Sequence, residues 1–178
     1  QNQMFGFEPP HFGPGATLAG CIACGLSGPR RPYAGSVRDH VLGVQIINGH
    51  GEALRFGGRV IKNVAGFDVA RLMVGAMGGL GILLEVSLKV LPRAEVERSL
   101  SLEISATQAL SMMNSLAGKP LPLSAACYVD KRLMLRLSGS AIAVAQAVSL
   151  IGGEELQHAD EFWRQLREHQ LDFFKDTQ

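Results

Sequence analysis

A glycine-rich run at residues 75–81, Gly-Ala-Met-Gly-Gly-Leu-Gly, is the segment whose composition most directly indicates binding of a phosphate or a dinucleotide. A Rossmann fingerprint places G-x-G-x-x-G between a strand and the start of a helix. Here the glycines follow a predicted helix and precede a predicted strand, and no Gly-Lys-Ser/Thr sequence completes a P-loop. Both common phosphate-binding folds are therefore excluded. What remains is a site of backbone amides and small residues from several loops, which can bind an anionic ligand without one local motif.

Cys21 and Cys24 form a C-x-x-C pair, which is compatible with a redox pair or with half of a metal site. A zinc site needs two further ligands at suitable spacing, and only Cys127 and scattered histidines remain. We therefore expect small side chains packed at the start of a helix, and no bound metal. The histidines that can titrate near neutrality are His11, His40 and His50. Because loop histidines are usually surface groups, no catalytic residue is assigned.

The composition is that of a globular protein, with 178 residues of which 47% are hydrophobic and 19% charged. A formal net charge of +1 does not provide the excess of positive charge that binding to nucleic acid or to an anionic membrane requires. A small ligand or a protein partner is therefore expected. Seventeen of the 21 glycines lie in the first 81 residues, which indicates ordered loops around a ligand in that region. A Gly-rich β-protein with many turns is the alternative.

Three cysteines are too few for a disulfide framework and indicate a reducing compartment, so we expect a cytoplasmic protein. The longest apolar run, near Leu80 to Val86, contains Gly81 and Glu85 and is much too short to span a membrane. The sequence starts at Gln1 without a leader-like segment, so no signal peptide is predicted, and we expect a piece of a longer protein.

Turn and helix signals alternate at the start of the chain. Prolines and glycines make residues 8–15 irregular, after which Thr17 is expected to cap a helix over residues 19–25. Two prolines and a dibasic pair then predict a long polar loop over residues 27–39. This loop supplies most of the polar and cationic groups of the region.

Regular elements follow from residue 41 onward. Two β-rich runs, residues 41–47 and 52–56, flank an Asn-Gly-His-Gly turn and predict a hairpin. Apolar spacing predicts a helix over residues 62–77 that ends at the next glycines. A buried strand is predicted over residues 82–91, stopped by Pro92.

The second region has the order β-α-β-β-α of a ferredoxin-like split unit, with a short sixth element expected. The predicted elements are a strand over 99–104, a helix over 106–117, strands over 125–129 and 133–137, a helix over 142–151 and a last strand near 154–158. In residues 160–174, Phe162, Trp163, Leu166 and Phe173 have helical spacing among charges, which predicts an amphipathic helix packed on its own domain. A partner-binding helix is the alternative.

Several phrases of the first region resemble the second half of the FAD-binding domain of the vanillyl-alcohol-oxidase, or PCMH-type, flavoproteins. They are Ala-Thr-Leu-Ala-Gly-Cys-Ile-Ala at 16–23, the segment at 27–43, and a lysine, Gly-x-Asp and Gly-Gly-x-Gly-Ile in order within 62–84. The phrases at 7–13, 27–32 and 62–66 resemble, within that family, the FAD-binding subunits of bacterial glycolate oxidases.

The resemblance covers residues 4–95 and is weak beyond. It implies an α+β fold, with the second half of a PCMH-type FAD-binding domain in residues 1–95 and a ferredoxin-like, cap-type region in residues 96–178. Residues 1–95 carry nine basic and six acidic groups, whereas residues 96–178 carry eight and ten. A diphosphate would therefore prefer the first region.

FAD is the cofactor that the resemblance implies. The candidate contacts are Thr17, Gly20, Cys21, Ala23, Gly28, Arg30, Gly35, Ser36, Arg38, Gly81 and Ile82. Gly20, Ala23 and Gly28 would let the loop lie against the flavin, where a larger side chain would collide. Thr17 and the helix start after it offer amide donors to a polar chain or phosphate.

The same resemblance places Arg38 and Arg30 near the pyrophosphate, and Gly81 with Ile82 on the adenine side. For the two arginines, solvated loop charges are the alternative. Asp68 is expected to be structural and to pair with a neighbouring backbone group or with the lysine of the Lys-Asn-Val-Ala-Gly phrase.

The implied activity is oxidation of a 2-hydroxy acid to a 2-oxo acid, with flavin as the hydride acceptor, in a subunit of a glycolate oxidase or dehydrogenase. The alternatives are a D-lactate-type dehydrogenase, an electron-relay or assembly subunit without its own turnover, and a stand-alone flavin-binding or ligand-sensing module. The implied partners are a second flavoprotein subunit and an iron-sulfur subunit, in a complex at the inner face of the cell membrane.

Two departures from the family pattern matter. Family members carry an earlier glycine-rich pyrophosphate loop on an N-terminal subdomain, and this chain begins after it. The substrate-side residues that family oxidases place toward the C-terminal part are not identifiable here. We therefore expect this polypeptide to bind FAD weakly or not at all.

Overall fold

The computed structural model of the chain describes residues 2–58 and 66–175. The chain divides into two compact units, Gln1–Pro92 and Arg93–Gln178. The first unit contains an antiparallel sheet of order β3-β2-β4 and a two-stranded antiparallel sheet of β1 and β5. Its elements are β1 (Gln3–Phe5), α1 (Leu18–Cys24), α2 (Arg31–Ala34), a 3-10 turn (Val37–His40), β2 (Val41–Ile47), β3 (Ala53–Gly57), α3 (Val69–Leu72), β4 (Ile82–Leu88) and β5 (Val90–Pro92).

Strand β2 lies at the centre of the first unit's core. Its residues Val44 and Ile46 are buried together with Ile22 of α1, as expected for an antiparallel strand that packs one face on the core. The predicted hairpin is confirmed, because β2 and β3 pair in register around a turn that Asn48 closes. The side-chain oxygen of Asn48 accepts hydrogen bonds from the amides of His50 (2.9 Å) and Glu52 (3.0 Å).

Helix α1 begins and ends as its sequence predicts. The hydroxyl oxygen of Thr17 accepts a hydrogen bond from the amide of Gly20 (3.1 Å), and Gly25 ends the helix in the left-handed conformation, with φ at +71°. The long loop predicted over residues 27–39 is wrong in part, because α2 and the 3-10 turn lie within it. The fixed φ of Pro32 favours the first turn of α2.

Two further predictions for this unit need correction. The helix predicted over residues 62–77 is confined to α3 within the described residues, and residues 62–65 lie outside them. The chain leaves helical geometry at Gly75 and Met77, whose φ values are +80° and +52°. The single buried strand predicted over residues 82–91 is two strands, β4 and β5, and no residue of β4 is fully buried, with Ile82, Leu84 and Glu85 exposed.

The second unit has the predicted ferredoxin-like topology. Its four strands are antiparallel neighbours in the order β9-β6-β8-β7, and helices follow the first and third strands of the unit. The elements are β6 (Val96–Glu103), α4 (Ala106–Ala117), β7 (Leu123–Val129), β8 (Arg132–Gly139), α5 (Ala141–Ile151), β9 (Glu154–Glu155), α6 (Ala159–Arg167) and a 3-10 turn (Asp172–Phe174).

Both faces of β8 are buried, although its sequence alternates. Leu133, Leu135 and Leu137 are fully buried, and Arg136 on the opposite face is 4% exposed because α6 covers that face. The guanidinium carbon of Arg136 lies 5.0 Å from the centre of the Trp163 ring. Packing of the last helix on its own unit is therefore confirmed. The predicted extent is wrong, because α6 ends at Arg167 and the 3-10 turn follows it.

Candidate functional site

The glycine-rich run is docked on the C-terminal end of α1. The amide of Gly75 donates a hydrogen bond to the carbonyl oxygen of Ile22 (3.1 Å), and the amide of Met77 donates one to that of Ala23 (3.0 Å). Such carbonyls have no partner inside their own helix, so the run satisfies them. Gly25 permits the close approach, because a Cβ atom there would lie 3.0 Å from the Cα atom of Gly75.

A cleft of about 220 Å³ lies between α1 and this run, and we name it the Gly20 cleft. Four of the predicted FAD contacts line it: Gly20 and Ala23 from α1, which were expected beside the flavin, and Gly81 and Ile82 at the start of β4, which were expected on the adenine side. Gly78 of the glycine-rich run also lines it, as do Ala19, Met73 and Leu83, which were not predicted as contacts. Ala19 lies one helical turn before Ala23, which is a signal that could have identified it. All eight lining residues are nonpolar, which suits a flat apolar ring.

The glycines that line the Gly20 cleft differ in what a side chain at each position would contact. A Cβ atom at Gly20 would meet only the hydroxyl oxygen of Thr17, at 3.0 Å, and would otherwise extend into open space. Gly81 is required by the chain itself, because its φ is +143° and a Cβ atom would lie 2.6 Å from the carbonyl oxygen of Ile47. A Cβ atom at Gly78, whose φ is +79°, would likewise have nothing within 4 Å. At Gly20 and Gly78 a side chain would therefore meet little of the surrounding chain.

A second cleft, of about 620 Å³, lies on the other side of Gly20, and we name it the aromatic cleft. Thr17 and Cys21 line it, as does Gly20. The remaining lining residues come mostly from the irregular N-terminal segment, which the sequence analysis did not assign to a site; they include Phe5, Phe7, Pro9, Pro10, His11, Phe12, Pro14 and Leu18. The concentration of phenylalanine and proline in that segment is the signal that marks it.

Five other predicted contacts lie outside both clefts: Gly28, Arg30, Gly35, Ser36 and Arg38. A Cβ atom at Gly28 would collide with the backbone carbonyl oxygen of Glu8, so packing within the chain already requires this glycine. The Nε atom of Arg30 donates to a carboxylate oxygen of Glu8 at 2.8 Å, and both side chains are at most one-fifth exposed. Arg30 therefore takes part in an internal ion pair, whereas Arg38 is exposed.

Two aspartates of the region act as local caps. The amide and hydroxyl of Ser36 donate to one carboxylate oxygen of Asp39, at 2.9 and 2.8 Å, and these hydrogen bonds lower the pKa of Asp39. Asp68 accepts a hydrogen bond from the amide of Arg71 (3.1 Å) and forms an ion pair with its guanidinium (3.2 Å). The expected pairing of Asp68 with a neighbouring backbone group is confirmed. Lys62, the other expected partner, lies outside the described residues.

The C-x-x-C pair lies on α1, where Cys21 is half-buried and Cys24 is exposed. Burial raises the pKa of Cys21 to about 11, and the nearby Cys24 contributes in the same direction. Cys21 is therefore protonated at neutral pH and is a poor nucleophile. Among residues 2–58 and 66–175, no group of three or more His, Cys, Asp or Glu side chains could hold a metal ion.

His40 is a core residue, which corrects the expectation of a surface histidine. Its side chain is 3% exposed, its Nε2 atom lies 3.1 Å from the carbonyl oxygen of Ala34, and its ring lies 5.4 Å from that of Phe7. His11 and His50 are exposed, as expected. None of the helices in the described part of the chain is long and apolar enough to cross a lipid bilayer.

Sequence comparison relates the chain to curated glycolate oxidase subunits and D-lactate dehydrogenases. It is 55% identical over 172 residues to glycolate oxidase subunit GlcE of Escherichia coli, which covers 97% of this chain and 49% of that protein. It is 38% identical over 85 residues to glycolate oxidase subunit GlcD of Bacillus subtilis, and 33% identical over 84 residues to a mitochondrial D-lactate dehydrogenase (cytochrome) of Arabidopsis thaliana. These matches cover 48% and 47% of this chain, and 18% and 15% of the two relatives. The chain thus spans about half the length of the E. coli subunit.

Structural comparison identifies the fold. Alkyldihydroxyacetonephosphate synthase superposes on 97% of this chain with a TM-score of 0.72 at 15% sequence identity, using 39% of the synthase chain. No family model matches the sequence. The glycolate oxidase relationship and the fold agree with the family resemblance of the sequence phrases. The chain is thus 55% identical, over nearly its whole length, to a glycolate oxidase subunit, and its fold is that of the PCMH-type FAD-binding proteins.

Proposed function

We propose that this chain is part of the FAD-binding subunit of a 2-hydroxy-acid oxidoreductase, with glycolate as the substrate that the GlcE relationship favours. The observation that carries the proposal is the convergence of four predicted FAD contacts on the Gly20 cleft. These residues come from α1 and from the start of β4, which are far apart in the sequence. The hydrogen bonds from Gly75 and Met77 to α1 hold the two segments together.

The residues of the Gly20 cleft fit an apolar ring system better than a charged group. Gly20 and Ala23 give a helix face with almost no side chains, and Ile82 and Met73 supply apolar contact area. When bound, FAD supplies the hydride acceptor. Because the lining is nonpolar, this chain's share at the cleft is to bind and orient the ring and to exclude water.

The other candidate contacts form a second group in our proposal. The polar chain of the cofactor would meet the amides at the start of α1 behind Thr17, together with Cys21 in the aromatic cleft. Arg38 is exposed and is the stronger candidate for a phosphate partner, since Arg30 is held by Glu8. Gly35 and Ser36 lie beside Arg38, and Gly28 would contribute by shaping this segment.

The proposed partners are a second flavoprotein subunit and an iron-sulfur subunit. Similarity to both GlcE and GlcD supports assembly with a second flavoprotein. The cytoplasmic location that we propose, with the complex at the inner face of the membrane, is supported by three free cysteines, since disulfides are rare in reducing compartments. We also propose two domains, a partial FAD-binding domain in residues 1–95 and a cap-type domain in residues 96–178, on the basis of the family resemblance.

Two alternatives are supported by particular observations. Similarity to a D-lactate dehydrogenase favours a larger 2-hydroxy acid than glycolate. The nonpolar lining of the Gly20 cleft favours an electron-relay subunit, since proton transfer from the substrate would then require groups from a partner.

Anaerobic addition of glycolate or D-lactate to the FAD-loaded full-length subunit, with and without its partner subunits, tests the proposal. We expect glycolate to bleach the flavin absorbance of the isolated subunit faster than D-lactate does. Bleaching only after the partners are added supports the relay alternative, and no bleaching by either acid under any condition contradicts the proposed function.

A further inference from the structure

A groove of about 440 Å³ lies in the second unit, outside the clefts described above. Helix α5 forms one wall, and strands β6 and β9 form the other. Its volume is within the range of roughly 300–1,000 Å³ that is usual for small-molecule sites. Nothing in the proposed flavin chemistry uses it.

The groove is open because the sheet is short at this edge. Strand β9 consists of two residues, and it pairs with β6 only at Leu100 and Ser101. Gly153 enters it with φ at +89°, where a Cβ atom would lie 2.9 Å from the side chain of Leu102. The chain therefore turns tightly into β9, which covers only two residues of β6 at this edge.

Apolar side chains form the interior of the groove, and one ion pair lies at its rim. Val96 and Leu100 of β6 face Val144 and Val148 of α5 across the space. At the rim, a terminal guanidinium nitrogen of Arg98 donates to a carboxylate oxygen of Glu155 at 2.7 Å, and both side chains are more than half exposed. Such an exposed ion pair contributes little to stability, so exchanging the Glu155 carboxylate for another carboxylate costs little.

We propose that this groove binds an aliphatic monocarboxylate, whose chain occupies the apolar interior and whose carboxylate replaces that of Glu155 on Arg98. A guanidinium matches a carboxylate in charge and in bidentate geometry. Arg98 is the cation among the described lining residues, which supports an anionic head group. The apolar walls support an alkyl chain. Glu155 competes with the ligand for Arg98 in this proposal.

Titration of the 178-residue chain with octanoate, followed by calorimetry and by the methyl NMR signals of Val144 and Val148, tests the site. We expect octanoate to bind and to shift these signals, and octanol, which lacks the carboxylate, to bind at least about tenfold more weakly. The Arg98→Gln variant should weaken octanoate binding by a similar factor. The Glu155→Gln variant should tighten it, because the competing carboxylate is removed.

Arg132→Gln is the matched control, since Arg132 is an exposed arginine of the same unit that does not line the groove. It should leave octanoate affinity unchanged. Circular dichroism establishes that each variant is folded. The proposal is overturned if octanoate does not bind the unmodified chain, if octanol binds as well, if Arg98→Gln has no effect, or if Glu155→Gln weakens binding.

Discussion

The Gly28→Ala variant tests whether packing against Glu8, rather than a ligand, requires the glycine at this position. A methyl group on Gly28 would collide with the carbonyl oxygen of Glu8, so that segment must move. Two contacts depend on its present place: the amide of Glu8 donates to the carbonyl oxygen of Ser27 at 2.9 Å, and its carboxylate pairs with Arg30.

The expected loss combines two terms. Alanine at a φ of +71° costs about 1–2 kcal/mol relative to glycine. Losing the hydrogen bond from Glu8 to Ser27 and weakening the partly buried ion pair add about 1–2 kcal/mol. We therefore expect Gly28→Ala to lower the free energy of unfolding of the first unit by about 3 kcal/mol.

Gly51→Ala is the matched control for this prediction. Gly51 has φ at +77°, but a Cβ atom there has nothing within 4 Å, so only the backbone term of about 1–2 kcal/mol applies. Urea unfolding followed by NMR signals of the first unit compares the two variants without any cofactor. Equal losses in both variants would refute the packing argument.

Three further predictions concern single side chains. Trp163→Phe should lower the free energy of unfolding of the second unit, measured in urea, by about 1–3 kcal/mol. The reason is that the buried hydroxyl of Ser99 loses the 2.8 Å hydrogen bond that it accepts from the indole of Trp163. Adding Ser99→Ala should recover part of this loss. Iodoacetamide at mildly alkaline pH should modify Cys24 before the two cysteines whose pKa burial raises to about 11, as mass spectrometry can check. In an NMR titration, Ser36→Ala should raise the pKa of Asp39. In the unmodified chain, the hydrogen bonds from Ser36 to Asp39 stabilise the fold at pH values above the ordinary pKa of an aspartate. This stabilisation is lost as the pH falls through the lowered pKa of Asp39.

Local signals in the sequence were sufficient for the elements whose ends are set by nearby residues. Thr17 and Gly25 limit α1 from its two ends, and Asn48 fixes the hairpin turn with its own side chain. Most of the second unit was predictable because α4, β8 and α5 end at glycines and β7 ends at the Asp130 turn, and because the order of elements admits few topologies.

Tertiary contacts account for what the sequence did not reveal. Gly28 and Arg30 are residue types that are typical of a phosphate-binding loop. In the structure, however, both contact Glu8, about 20 positions earlier in the chain. His40 lies in a loop-like sequence but is buried beside Phe7, where a side chain on Gly6 would collide with its ring. Such contacts join segments without any periodic pattern, so no spacing rule identifies them.

Titration of the isotopically labelled 178-residue chain with FAD tests most directly whether the Gly20 cleft holds the flavin. We predict weak binding, too weak to survive gel filtration, with progressive shifts of the amide signals of Gly20, Ala23, Gly81 and Ile82. The Gly20→Val variant should remove these shifts, because its side chain would extend into the open space of the cleft. Saturating FAD that leaves all four signals unmoved in the unmodified chain would contradict the assignment.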